Sequence, residues 1–198
     1  MQNITEWTTL TGKYITLIPL KQERHEEFAR AIEDGQLNQL WYANVPAPEG
    51  VEAEIDRRLS LHAQGKMLPF VVIDNQTNTA IGMTSYMNID ANMPRLEIGS
   101  TWYAKSAQRS PVNTEAKLLL LEYAFEKLGC VAIELRTHFL NNQSRRAIER
   151  LGAKLDGILR CHMRTKNGLV RDTCVYSILQ SEWPAIKAHI EWLMAKPR

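Results

Sequence analysis

Hydrophobic and polar positions alternate along residues 13–19 (KYITLIP), with β-branched residues among them, which predicts a first strand. Over residues 22–34 the spacing changes to the helical one: Phe28, Ala31 and Ile32 share a face, and Gly35 ends the run. A short piece over 37–43 carries Trp41 and Tyr42 before Pro46 and Pro48 break the chain. Residues 49–64 predict an amphipathic helix with Val51, Ile55, Leu59 and His62 on one face. Two strands over 69–74 and 80–89 flank the polar turn 75–79, and a third covers 95–103. Residues 114–128 then make the strongest helix of the chain, with Ala116, Leu119, Leu120, Ala124 and Phe125 on one side and Gly129 as its stop. A strand over 131–139 and a short helix over 142–151, capped by Gly152, follow. Strands over 154–165 and 169–179 flank Lys166-Asn167-Gly168, a hairpin turn with Asn-Gly at its tip. A terminal helix spans 181–195, with Ser181 as N-cap and Pro184 in its first turn.

The order β-α-α-β-β-β-α-β-α-β-β-α predicts the α+β class: one mostly antiparallel sheet with a strand–helix–strand crossover near its middle. No repeat, low-complexity tract or Ser/Gly linker interrupts it, so residues 1–198 are expected to form one domain.

Composition narrows this little. Apolar residues at 44% supply a core, and 23% charged residues with a net charge of +2 fit an ordinary water-facing protein. No Lys/Arg run marks a nucleic-acid surface; the densest basic group, Arg145, Arg146 and Arg150, fits the wet face of a helix. Cys130, Cys161 and Cys174 are scattered and odd in number, which argues against zinc and disulfides and for a reducing, cytoplasmic setting. No stretch approaches 18 apolar residues, and residues 1–7 lack the basic-then-apolar pattern of a leader, so neither a membrane span nor a signal peptide is expected.

The crossover carries the candidate chemistry. Residues 100–117 run from a strand through a polar loop straight into the best helix. The first N–H groups of a helix have no partner within it, and its dipole favours negative charge there, so this is an anion site suited to a pyrophosphate. Gln108, Arg109, Ser110, Val112, Asn113 and Thr114 form the loop and helix start, with Asn113 expected as N-cap. Glu115 sets a like charge beside that site unless it points outward. No Ser/His/Asp order or Gly-x-Ser-x-Gly elbow offers a covalent nucleophile.

Several strings, in order over nearly the whole chain, add a resemblance: Leu10-Thr11-Gly12-Lys13 with Leu17-Ile18-Pro19-Leu20; Glu97-Ile98-Gly99; residues 112–121; Asn141-Asn142-Gln143-Ser144 with residues 147–153; Gly157-Ile158-Leu159-Arg160; residues 168–172; and Glu182-Trp183-Pro184. Together the chain resembles the GNAT superfamily of acyl-CoA-dependent N-acetyltransferases, on its RimJ/RimL-like branch. The resemblance implies the GNAT fold and direct transfer of an acetyl group from acetyl-CoA to a primary amine, of a protein N-terminus or a small molecule. It implies no metal, no nucleic-acid or membrane partner, and a monomer or a homodimer. The alternative is a catalytically weak or inactive acyl-CoA-binding sensor of the same fold. One departure stands in the loop: Pro111 and Asn113 occupy positions where the superfamily pattern has glycines, so Arg109 or Ser110 is expected to replace lost phosphate contacts.

The same resemblance implies roles for single residues. Peptide groups of Ser100, Thr101 and Trp102 meet the pantetheine arm, and the Asn141 side chain bonds its amides or serves only as a turn residue. Ser144 partners the cofactor sulfur or merely caps its helix. Glu97 is a general base acting through water or a strand-pairing carboxylate; His138 takes the amine proton or is a satisfied interior histidine. Trp41, Tyr42 and Tyr86 line an acceptor pocket or, for at least two of them, belong to the core, and Arg171 with Asp172 is expected to be a structural pair.

Overall fold

The computed structural model describes residues 4–196; Met1 to Asn3, where the stretch read for a leader begins, and the last two residues of the expected single domain lie outside it. Its elements are β1 (Leu10–Thr11), β2 (Ile15–Pro19), α1 (His25–Glu33), α2 (Val51–Ala63), β3 (Met67–Asp74), β4 (Ala80–Asp90), β5 (Arg95–Tyr103), α3 (Val112–Glu122), β6 (Ala132–His138), α4 (Asn142–Glu149), β7 (Lys154–Arg164), β8 (Val170–Leu179) and α5 (Trp183–Ala195). The eight strands form one sheet in the order β1-β2-β3-β4-β5-β6-β8-β7, and every neighbouring pair is antiparallel except β5 with β6. The α+β expectation and the central crossover are therefore met.

Alternation on the central strands sends side chains to two cores. Tyr86, Leu96, Ile98 and Ile133 pack with Ala116, Leu120, Leu121 and Ala124 of α3 and with Trp183, Ile186 and Ile190 of α5. Met83 and Trp102, from the other face, pack with Phe28 and Ile32 of α1 and Val51 and Ile55 of α2. The aromatic Tyr86 is wholly buried and donates its hydroxyl to the Leu120 carbonyl, so of the three aromatic candidates it alone is core; Trp41 is exposed and Tyr42 half-buried.

Two expected caps are corrected. Pro111 already holds helical angles (φ −62°, ψ −23°), so α3 begins at Val112 and Asn113 lies inside its first turn rather than capping it. At α5, Glu182 is already helical (φ −91°, ψ −20°), and a turn of hydrogen bonds from Glu182 and Trp183 back to Leu179 and Gln180 encloses Ser181, which caps nothing. The end of the long helix also differs: Tyr123–Lys127 widens into a π turn before Gly129, at φ +68°, releases the chain. The hairpin tip is as expected, a turn from Thr165 to Gly168 with Gly168 at φ +79°.

Glu115 resolves a question of charge. It is buried and turned away from the loop, where its carboxylate accepts the N–H groups of Lys13, Tyr14 and Ile15 at 2.7, 2.8 and 2.8 Å. It thereby pins the β1–β2 hairpin to α3. Gly12 is required by this contact, because a Cβ there would lie 2.5 Å from the Glu115 carboxyl carbon.

Candidate active site

Among the described residues β5 and β6 are the only parallel pair, and their pairing is short for the length of the strands. β5 and β6 pair over three positions, Arg95, Leu96 and Glu97 opposite Ala132, Ile133 and Glu134, although β5 continues to Tyr103 and β6 to His138. Beyond Glu97 the strands diverge. The wedge between them opens into a cleft of about 1120 Å³, lined by Ile98 to Tyr103 on one side and Leu135 to His138 on the other. Loss of the ladder leaves backbone groups of both strands needing partners, which is where an extended ligand with amides of its own fits.

A bulge shapes the β5 wall. Ser85 pairs with Gly99 and Met83 with Trp102, so β5 carries one extra residue, and Ser100 adopts φ +49°. Arg58, 1% exposed, reaches it from α2. Its guanidinium donates to Ser100 O at 3.0 Å, to Ser85 Oγ at 3.1 Å and to Glu54 Oε1 at 2.7 Å. Because C=O and N–H of one trans peptide point opposite ways, fixing the Ser100 carbonyl also fixes the Thr101 N–H.

One end of the cleft is built for an anion. Lys105, Arg109 and Arg150 line it around the start of α3, and Arg109 sits at φ +57°. The Ser110 hydroxyl donates to Ala107 O at 2.5 Å and accepts the Val112 N–H at 3.3 Å, so it meets the first N–H of α3 in place of Asn113. Gln108 donates to Tyr103 O at 3.1 Å and accepts from Gln143 at 3.4 Å, which ties the loop to α4. The side chains of Val112 and Thr114 leave the cleft: Val112 is core, and Thr114 Oγ1 receives Arg150 Nη2 at 2.7 Å.

Ser100, Thr101, Trp102, Gln108, Arg109, Ser110, Asn113, Asn141, Ser144 and His138 all line this one cleft, as does Glu97. Asn141 is the N-cap of α4, its Oδ1 accepting the Ser144 N–H at 3.0 Å, so capping falls to Asn141 and the Ser144 hydroxyl keeps no protein partner among the described residues. Glu97 is 6% exposed; it accepts from Asn88 Nδ2 at 2.7 Å and lies 3.5 Å from Arg136 Nε. Burial raises its carboxyl above the ordinary value, with Asn88 and Arg136 opposing. The carboxylate folds over Gly99, where a Cβ would stand 2.7 Å from Oε1, which explains the Glu-x-Gly spacing.

His138 is buried, and its Nδ1 accepts the Leu140 N–H at 2.9 Å. Neutral His138 therefore carries its proton on Nε2, the arrangement of a donor rather than a base. Burial and Arg171 hold its pKa below the usual value. Trp41 meets its ring edge-on at 5.1 Å between centroids, and Tyr42 lies at 6.4 Å. Arg171 and Asp172 are not a pair: Asp172 binds Arg160 at 2.6 Å, while Arg171 turns into the cleft with His162, Met163 and Thr173. Lys166, at the tip of the β7–β8 hairpin, donates to the Asn38 carbonyl and closes this far side over the loop after α1.

Two residues escaped the sequence reading. Arg58 falls on the apolar face of α2, seven residues after Val51 and three after Ile55, and is buried with them. Lys117 sits inside the apolar stripe of α3, 6% exposed, with Nζ 3.2 Å from Thr101 Oγ1 and a place in the cleft wall. Burial brings its ammonium down to about 7. A lysine at a position where the helical period demands an apolar side chain was the available signal.

Comparison with known proteins agrees with this fold. A family model described as "Acetyltransferase (GNAT) domain" matches residues 15–154. The Bacillus subtilis protein named "Putative ribosomal N-acetyltransferase YdaF" is 34% identical over 106 residues, covering 54% of this chain and just over half, 57%, of its own length. Among solved structures, a GCN5-related N-acetyltransferase from Brucella melitensis superposes with a TM-score of 0.85 at 33% identity, covering 96% of this chain and 86% of that one. Mycobacterium smegmatis RimJ in complex with CoA-disulfide shares the fold, with a TM-score of 0.80 at 19% identity over 96% of this chain and 95% of that one. Among the described residues no helix is long and apolar enough to cross a membrane, and no cluster of His, Cys, Asp and Glu could hold a metal ion.

Proposed function

The chain belongs to the GNAT acetyltransferase family, whose reaction is acyl transfer from acetyl-CoA to an amine, and from that premise we propose that it acetylates a protein N-terminus directly, without an acyl-enzyme. The observation that carries this reading is the wedge between β5 and β6, which leads from the cationic start of α3 to Glu97 and Ser144. The relative named for ribosomal acetylation supports the RimJ/RimL-like branch, and with it an N-terminal amine over a small-molecule one. The proposal treats residues 1–198 as one domain and keeps the cytoplasmic setting expected from the unpaired cysteines.

The cleft fits the co-substrate on its own terms. Trp102 Nε1 and Tyr103 Oη are buried polar atoms without a protein partner, and both residues line the wedge. Lys105, Arg109, Arg150 and the first-turn N–H groups of α3 would hold the pyrophosphate, with the Asn141 Nδ2 group and the β5 peptides on the amide-bearing arm. Bound there, acetyl-CoA supplies the thioester carbonyl that an amine attacks.

Glu97, its carboxyl raised by burial, takes the amine proton through water, and Arg136 and Asn88 hold it in place. The Ser144 hydroxyl donates to the departing sulfur, oriented by the Asn141 cap that fixes its backbone. His138 Nε2–H offers a donor to the acceptor's carbonyl rather than a base.

Thermal shift with CoA and acetyl-CoA, followed by CoA release over a panel of peptide N-termini and small amines, tests the proposal. We expect stabilisation and turnover. Ser144→Ala should keep the thermal shift and lose roughly 100-fold or more in kcat. No stabilisation and no CoA release would refute the reading. A second reading, an acyl-CoA sensor, draws on the loop: it lacks the usual glycines, and Ser110 is spent on capping. Stabilisation without turnover on any amine would select it.

A further inference from the structure

The helix α3 holds an amine where its pattern calls for a methyl group. Lys117 lies one turn from Asn113 and one turn from Leu121, between the buried Ala116 and Leu120. Taking an isolated ammonium into such a site costs several kcal/mol, and no carboxylate lies against Nζ to offset it. Burial lowers the ammonium to about 7, so a substantial share of the group is an uncharged amine near neutral pH. One N–H is directed to Thr101 Oγ1 at 3.2 Å, and the Thr101 hydroxyl in turn meets Thr84 Oγ1 at 2.8 Å. With an N–H anchored there, the nitrogen lone pair is left without a proton donor among its contacts.

Position completes the case. The cationic end of the cleft lies beyond Tyr103, and Glu97 lies at the point where β5 and β6 part. Thr101 stands between them on the same strand. An extended thioester anchored at the start of α3 and reaching toward Glu97 must pass Thr101, and so must pass Lys117.

We propose that Lys117 is a self-acetylation site, its ε-amine taking the acetyl group of acetyl-CoA held in the wedge. The inference rests on the acetyl-CoA reading given above. Nζ attacks the thioester carbonyl carbon, the N–C bond forms and the C–S bond breaks. The sulfur leaves as thiolate, and the proton shed by the nitrogen passes to it, giving Nε-acetyl-Lys117 and CoA. Exposed lysines such as Lys66 and Lys154 lie outside the cleft lining and lack the seat beside the ligand.

The test is peptide mapping by mass spectrometry after incubating the full chain with acetyl-CoA, with and without excess CoA. Lys117 should gain one acetyl group about tenfold or more faster than Lys66 or Lys154, since it lines the cleft along which the thioester passes and they do not. Excess CoA should suppress that gain, and Lys117→Met should abolish it. A chain stabilised by CoA whose Lys117 stays unmodified, or reacts no faster than the exposed lysines, overturns the site and leaves acetyl transfer standing. A chain that CoA does not stabilise overturns both.

Discussion

Lys117 and Glu115, two residues apart on α3, show how differently one helix can treat charge. Glu115 is buried but satisfied by three backbone N–H groups, so its charge is an asset to the β1–β2 hairpin. Lys117 is buried with a single hydroxyl, so its charge is a burden. Its pKa falls from 10.5 in the open chain to about 7 in the fold. Between those values the unfolded chain binds a proton that the folded one does not, so stability rises with pH across that window, by up to about 1.4 kcal/mol per unit. Lys117→Met lacks this term. We expect urea denaturation to show the variant more stable than the parent at and below neutral pH, with the gap shrinking as pH rises toward 10.5. A gap that does not change with pH would mean that Lys117 is charged in the fold. Of the two burials only that of Lys117 left a trace in sequence, as a charge inside the apolar stripe of α3. The chain displays a Glu and a Lys at the start of an amphipathic helix, and which way each turns depends on a hairpin and a strand bulge far away along the chain.

At the scale of elements, helix periods and strand alternation located every helix and all but the shortest strand, within a few residues. The failures cluster at helix starts. Asn113 and Ser181 are good capping residues by type, yet Pro111 and Glu182 had already entered helical angles and took the boundary from them. The bulge in β5 was invisible for another reason: it is a mismatch between two strands, Ser85 to Met83 against Gly99 to Trp102, and neither strand records it alone. Arg58 clamps that mismatch. Arg58→Met should cost about 1–3 kcal/mol, because the Ser100 carbonyl and the Ser85 hydroxyl both lose their donor inside the fold. Ser85→Ala removes one of the three bonds and should cost less. Glu54 keeps Arg57 at 2.7 Å in either variant, which confines the loss to the bulge. Chemical denaturation ranks the two, and equal losses would mean that the clamp acts through Ser85 alone. Weaker binding of CoA by Arg58→Met should accompany the loss of stability.

For the whole molecule, the candidate site was legible as a set of residues but not as a place. Gln108, Asn141, Ser144, Glu97 and His138 come from four separate segments, and only the parting of β5 and β6 brings them to one cleft. That parting also divides the chain. Residues before Gly129 build β1 to β5 with three helices; those after it build β6 to β8 with two, and the sheet joins them by three paired positions. The remaining attachment is side-chain packing of α3 against β6, β8 and α5, with Phe125 stacked on Trp183 at 5.3 Å and Lys187 bound to Glu122 and Glu126 at 2.7 and 2.8 Å. A polypeptide cut in the short connection at Gly129 should therefore reassemble from two separately encoded pieces. Anything that binds only the assembled form draws that association forward by mass action, so CoA should tighten it, which native mass spectrometry of the mixed fragments would read. The molecule then behaves as a pair of half-proteins for which the small molecule in the gap acts as a shared fastener.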